Sequence, residues 1–295
     1  MKNEMLLALS FFILTKAFAQ NDTVQLIRDS AQHTSQAYAR PAMPGETTKA
    51  KIYKLKPIVD VPVTAVGVGW SLYAFTKIYS KDRVPEATIL SLNKNDIAGI
   101  NRFVADLYSP RALDISNGFF YGSMPFPVVL MLDKHIRHDA AKVTLLWAEA
   151  MAVTGLLYTG SVYFHDKFRP YAYNPEVPMD RKTRGGAKNS FFAGHVALVG
   201  TSTFFTAKVF SDYHPDSKLR WLFYSLAGVA TATTGYLRIR AGEHFLTDVI
   251  IGTGVGTLSG LLVPQFHKIK NVDSRVGMTP FFGGKEKGLI LTYKL

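Results

Sequence analysis

Six apolar stretches constrain this chain more than any other feature: Ile58 to Tyr79, Ile115 to Leu132, Val143 to Phe164, Phe191 to Phe210, Leu219 to Leu237 and Leu246 to Val263. Each outruns the four to eight residues of a buried strand, and most reach the roughly 20 residues that carry a helix across a bilayer. The expected fold is therefore all-α, a helical bundle of about six core helices over residues 58–267, associated with a membrane. Gly, Ala, Ser and Thr are frequent in the stretches, and Gly252, Gly256 and Gly260 recur at four-residue spacing, a pattern that lets two helix backbones approach closely. Asp60 and Glu149 interrupt two stretches, and mean hydropathy is only +0.07. A charge inside a span is rare unless it has a partner.

Polar segments frame the bundle. Lys2, the apolar run Met5 to Leu14 and Ala17-Phe18-Ala19 before Gln20 fit an export signal peptide over 1–19. Residues 20–57 are polar without a sustained apolar period and are expected to form a flexible leader. Within the charged segment 80–114, Pro85 to Leu107 suits amphipathic surface helices. Residues 268–295 alternate in a way that suits a short C-terminal β-hairpin-like tail. The expected location is the bacterial cell envelope, in the inner membrane with a periplasm-facing site, or alternatively soluble in the periplasm. Parity complicates the first: after removal of the signal, three full crossings would bring the loop following Phe164 to the cytoplasmic side.

Lys and Arg number 34 against 22 Asp and Glu, a formal charge of +12, so the surface field attracts anions. No zinc-finger spacing and no RNA-binding aromatic signature accompanies that charge, and nucleic acid is not an expected partner. The absence of cysteine excludes disulfides, thiol catalysis and thiolate metal sites.

Chemistry-bearing residues concentrate in three segments at the ends of consecutive stretches. Lys167-Phe168-Arg169-Pro170 follows the third; Arg169 offers a planar fork suited to phosphate oxygens, and Pro170 ends the helix. Ser190-Phe-Phe-Ala-Gly194-His195 opens the fourth, where Gly194 permits close backbone approach and the N–H groups of a helix start make an anion site. Arg238 and then His244 and Asp248 join the fifth to the sixth. His244 and Asp248 stand four apart on one helical face, so Asp248 could accept the imidazole N–H and fix its tautomer. Taken alone, that pair is as well explained by a solvated surface contact.

Together the three segments resemble the tripartite signature of the type 2 phosphatidic acid phosphatase and vanadium haloperoxidase superfamily. Arg169-Pro170, Gly194-His195, Arg238, His244 and Asp248 fall in the family's order, over roughly 145–256. The pattern is broken at three points. Val162 stands where the family has lysine, Phe192-Ala193 replaces Pro-Ser, and Leu237 replaces the serine before the arginine.

The resemblance implies a metal-independent histidine phosphatase acting on a phosphorylated lipid, isoprenoid diphosphate or small phosphate ester, with no cofactor. His244 would be the nucleophile, His195 the acid and Asp248 the partner of His244. Arg169, Arg238, Gly194 and Lys167 would bind phosphate. Three other readings stand beside it: a soluble exported acid phosphatase for small phosphomonoesters, a haloperoxidase, and a degenerate relative without turnover. The remaining histidines, His33, His135, His138, His165, His214 and His267, are read as loop or surface residues.

Overall fold

A computed structural model describes residues 51–269 and the backbone of 276–282 and 287–293. The expected signal peptide and the leader as far as residue 50 lie outside the described residues. The six apolar stretches become six long helices: α1 Pro57–Tyr79, α2 Pro110–Ser123, α3 Ala140–Phe164, α4 Gly194–Tyr213, α5 Leu219–Arg240 and α6 Leu246–His267. Ser109 caps α2 by accepting from the Ala112 N–H, and Pro110 fills the first helical position, where a missing N–H costs nothing. The second stretch is not continuous, because Pro125 and Pro127 interrupt the ladder and Phe126–Leu132 tightens into a 3-10 helix. Short helical turns, Glu86–Leu90, Lys94–Asp96, Gly99–Arg102 and Phe103–Asp106, occupy the charged segment. At the chain's end the backbone strands Val276–Phe282 and Lys287–Tyr293 pair antiparallel.

α4 is the central helix, packed against α6, α5, α3 and α2, while α1 lies along α3. The contact with α6 depends on missing side chains. A Cβ placed on Gly252 would lie 2.6 Å from the Ala193 carbonyl oxygen, one on Gly256 2.1 Å from that of Ala197, and one on Gly260 2.6 Å from that of Thr201. Both series rise by four, so the two helices run parallel and in register. α6 consequently starts at the same end of the bundle as α4.

The other end holds a finding that the sequence did not suggest. The last residues of the polar leader are docked rather than flexible. Lys54 N–H donates to the His267 carbonyl and Ile269 N–H to that of Ile52, each at 2.9 Å. Tyr53 is buried, and its hydroxyl donates to Asp212 at 2.8 Å; Lys268 donates to the same carboxylate at 2.7 Å. Asp60 and Glu149 also find their partner here. His267 Nε2 lies 3.3 Å from Asp60 Oδ1 and 3.6 Å from Glu149 Oε2, so His267 is no plain surface residue. That answers the question of two carboxylates in apolar helices.

Among the described residues, four helical segments are long and apolar enough to cross a membrane: Pro57–Tyr79, Pro110–Leu132, Ala140–Phe164 and Leu246–His267. α4 and α5, built from the other two stretches, are not among them. Ile58, Val66, Leu132, Leu157, Ile250 and Leu258 are exposed on the four segments, an apolar surface that water would not tolerate and lipid covers. Membrane association follows.

The α4–α6 contact leaves no room for a methyl group, and backbone cannot yield as a side-chain tip can. Gly256→Val is expected to destabilise the detergent-solubilised protein by about 1–3 kcal/mol or prevent folding, whereas Gly254→Ala, which meets open space, should be silent. Thermal unfolding of the two variants checks this.

Candidate active site

The segments after α3, before α4 and before α6 converge because their backbones are stitched together. Lys167 N–H donates to the Lys188 carbonyl, Arg169 N–H to that of Ala187, and Ser190 N–H to that of Lys167, at 2.8–3.0 Å. Tyr171 N–H donates to the Gly242 carbonyl at 2.9 Å, and Ala193 N–H to that of Asp248 at 3.1 Å. Gly194 opens α4 under the ring of Tyr158; a Cβ there would lie 2.5 Å from the ring. The first-turn N–H groups of α4 have no acceptor inside the helix and carry its positive end.

His244 is buried, and its Nδ1 lies 2.7 Å from the Ser190 carbonyl oxygen. A carbonyl only accepts, so Nδ1 carries the proton and Nε2 keeps its lone pair. The residue that fixes the tautomer is therefore Ser190, through its backbone, and not Asp248 as expected. Asp248 is committed elsewhere: it accepts from Lys167 Nζ at 2.5 Å, from the Ser190 hydroxyl at 2.7 Å and from the Phe245 N–H at 3.2 Å. The reason is local. As the third residue of α6, Asp248 turns back to cap the helix start, which takes its carboxylate away from the ring four residues earlier. Asp248 supports His244 at one remove, through Ser190.

The Lys167 amine lies on Asp248 and over the rings of Phe245 and Phe191, 5.0 and 5.5 Å from their centroids.

Arg169 and Arg238 are each held by a protein acceptor. Arg169 Nη1 donates to the buried carboxylate of Glu243, which also accepts from Arg181. Arg238 is buried, with Nη2 donating to Asn117 Oδ1 at 2.8 Å. Both Nε–H groups are buried without a protein partner, as is His244 Nε2. Burial and then the Arg169 charge push the Arg238 pKa down to about 9. The ring of half-buried His195 packs tilted against that of Phe120, their centroids 4.4 Å apart. Burial, then the charges of Arg238 and Arg169, hold its pKa well below the usual histidine range. His244 is lowered similarly by burial, Arg169 and Arg238, and less by His195. The two cations thus act on both imidazoles.

Four contributors went unnoticed at the level of sequence as site residues: Ser190, Glu243, Arg181 and Asn117. None has a spacing that marks it, and Asn117 stands 121 residues from its partner. Two of the three broken positions are filled by packing. Val162 joins an apolar cluster with Ala74, Ile78, Tyr158, Phe192 and Ala197. Two groups able to supply metal-ligand atoms lie among the described residues, Asp133, His135 and His214, and Asp60, Glu149 and His267; neither includes a residue of this site.

The segments that carry His195, His244, Arg169 and Arg238 thus meet at one end of the helical bundle. Residues 143–271 match the family model of the PAP2 superfamily. A curated relative, lipid A 4'-phosphatase of Porphyromonas gingivalis, is 31% identical over 108 residues, 35% of this chain and 42% of that protein, so the chain spans less than half of that relative's length. Among solved structures, a transmembrane PAP2 type phosphatidylglycerolphosphate phosphatase from Bacillus subtilis is 19% identical, with 69% of this chain and 94% of that one covered at a TM-score of 0.42. LpxE of Aquifex aeolicus is 21% identical over 58% of this chain and 97% of that one, with a TM-score of 0.39.

Unfolded imidazoles take up protons near pH 6.5, while the two folded ones resist until lower pH, so the unfolded state binds more protons below that point. Stability is expected to be full above about pH 6.5 and to fall as pH drops below it. His244→Gln should flatten that fall when melting is followed between pH 7 and 5.

Proposed function

We propose that the chain is a phosphatase that hydrolyses a lipid phosphate through a phosphohistidine. The carrying observation is that Arg169 Nε, Arg238 Nε and His244 Nε2 are all buried and unpartnered by protein. Leaving a buried polar group unsatisfied costs about 1–3 kcal/mol, and a tetrahedral oxyanion meets the needs of both guanidiniums at once. Nε2 of His244 attacks phosphorus; the bond to the leaving oxygen breaks, and that oxygen takes a proton from His195. Water then attacks the phosphohistidine, giving its proton to His195 and releasing phosphate. The guanidiniums and the α4 start stabilise charge on the non-bridging oxygens, the main source of phosphoryl-transfer catalysis. The negative charge of bound substrate offsets Arg169 and Arg238 and raises the proton affinity of His195 when an acid is needed.

Support for a lipid comes from the apolar helix surface and from a cavity of about 460 Å³ lined by Phe164, Phe191, Ser161, His165 and Lys167, at the end of α3. The P. gingivalis relative is named for a lipid substrate. A periplasm-facing inner-membrane site belongs to the same proposal. A non-catalytic relative is the second reading, favoured by the pairing of Lys167 and Arg169 with carboxylates.

Detergent-purified full-length protein should release phosphate from dioleoyl phosphatidic acid, and continue to do so in EDTA. His195→Ala is expected to lower the rate by roughly 10²–10⁴-fold, and His244→Ala to lower it to that of a mock preparation, with loss of acid-labile phosphoprotein. Equal release by His244→Ala and the parent would remove the enzyme reading.

A further inference from the structure

Beside the site lies a cavity of about 460 Å³ lined by Leu113, Arg169, Tyr171, Arg181, Arg184 and Gly186, a volume in the range of small-ligand sites. Three of its six lining residues are arginines. Arg181 is fixed on three sides: its guanidinium lies 4.9 Å from the Tyr171 ring and 5.3 Å from the Tyr108 ring, and it donates to Glu243. A fork held this way loses little freedom when an anion arrives. Arg184 is largely exposed and pairs with the equally exposed Asp180 at 2.7 Å, a contact worth little in water and readily exchanged for a ligand. Asp180 is also shared with Arg83. Glu243 is shared as well, between Arg169 and Arg181, so the cavity wall has more cations than carboxylates.

We propose that this cavity is a second oxyanion subsite, in which Arg181 and Arg184 hold an anionic group that neighbours the scissile phosphate of the same substrate. Arg169 makes the two subsites neighbours, because it lines the cavity and its Nε belongs to the cluster around His244. Glu243, which ties Arg169 to Arg181, directly precedes His244 in the chain. A single guanidinium spans only a few ångströms, so the fitting ligand carries its two oxyanions close together. Phosphate and phosphonate groups suit such planar forks. The subsite rests on the phosphatase reading for its biological use, but not for its binding chemistry.

The test uses full-length protein in detergent and non-hydrolysable probes, with affinity read by calorimetry. Methylenebisphosphonate against methylphosphonate represents the free anion, and decyl methylenebisphosphonate against decylphosphonate the lipid-borne one. The two-phosphorus probe is expected to bind at least tenfold tighter than its counterpart, and Arg184→Gln to remove most of that preference while changing one-phosphorus binding by less than threefold. Arg181→Lys, which keeps the charge and loses the fork, should reduce the preference by an intermediate amount. A preference confined to one pair of probes supports the subsite and identifies the source of its ligand. No preference in either pair, or equal loss for all probes in Arg184→Gln, overturns it. Preference without phosphate release leaves the subsite and removes the enzyme; phosphate release without preference does the reverse.

Discussion

The structure depends on the close approach of two parallel helices. Where Gly252, Gly256 and Gly260 of α6 lie on the carbonyls of α4, the backbones come nearer than any side chain would permit. Dispersion contacts across such an interface are numerous, and in an apolar surround they are what holds helices together. The contact also sets register. It brings the start of α6 to the start of α4, where the Asp248 carbonyl accepts from Ala193 and His244 reaches Ser190. A shift of one helical turn would separate the imidazole from the carbonyl that sets its tautomer.

Around that frame the site works by distributing charge. Each carboxylate here holds a cation in place, Glu243 holding Arg169 and Arg181, and Asp248 holding Lys167. The departures from the family's pattern fit this plan. With Val162 buried in an apolar cluster, no lysine approaches from α3, and Lys81 instead donates to the Val162 carbonyl and to Asp166 at the helix end. The cationic load rests on guanidiniums that keep their charge when desolvated more readily than an amine does.

Much of this was legible in the sequence, for identifiable reasons. Continuous apolar stretches gave the helices and four-residue glycine spacing gave their closest contact, since both are periodic signals. Arg169, Arg238, His195 and His244 were legible because their residue types and spacings are tied to one chemistry. Ser190, Glu243, Arg181 and Asn117 were not, because their partners are set by how loops cross rather than by distance along the chain. Asp248 was legible as a site residue but not in its role, because helical spacing places it beside His244 while the need to cap α6 turns it back on itself. Tyr53 was hidden in a polar stretch, an aromatic whose hydroxyl partner, Asp212, stands 159 positions away.

The pairing of Tyr53 with Lys268 joins the two ends of the bundle's chain path. The polypeptide comes into α1 and goes out of α6 at one pole of the bundle, and the imidazoles sit at the opposite pole. Set in a bilayer that the bundle spans, residues 51–56 and the reactive loops occupy different compartments.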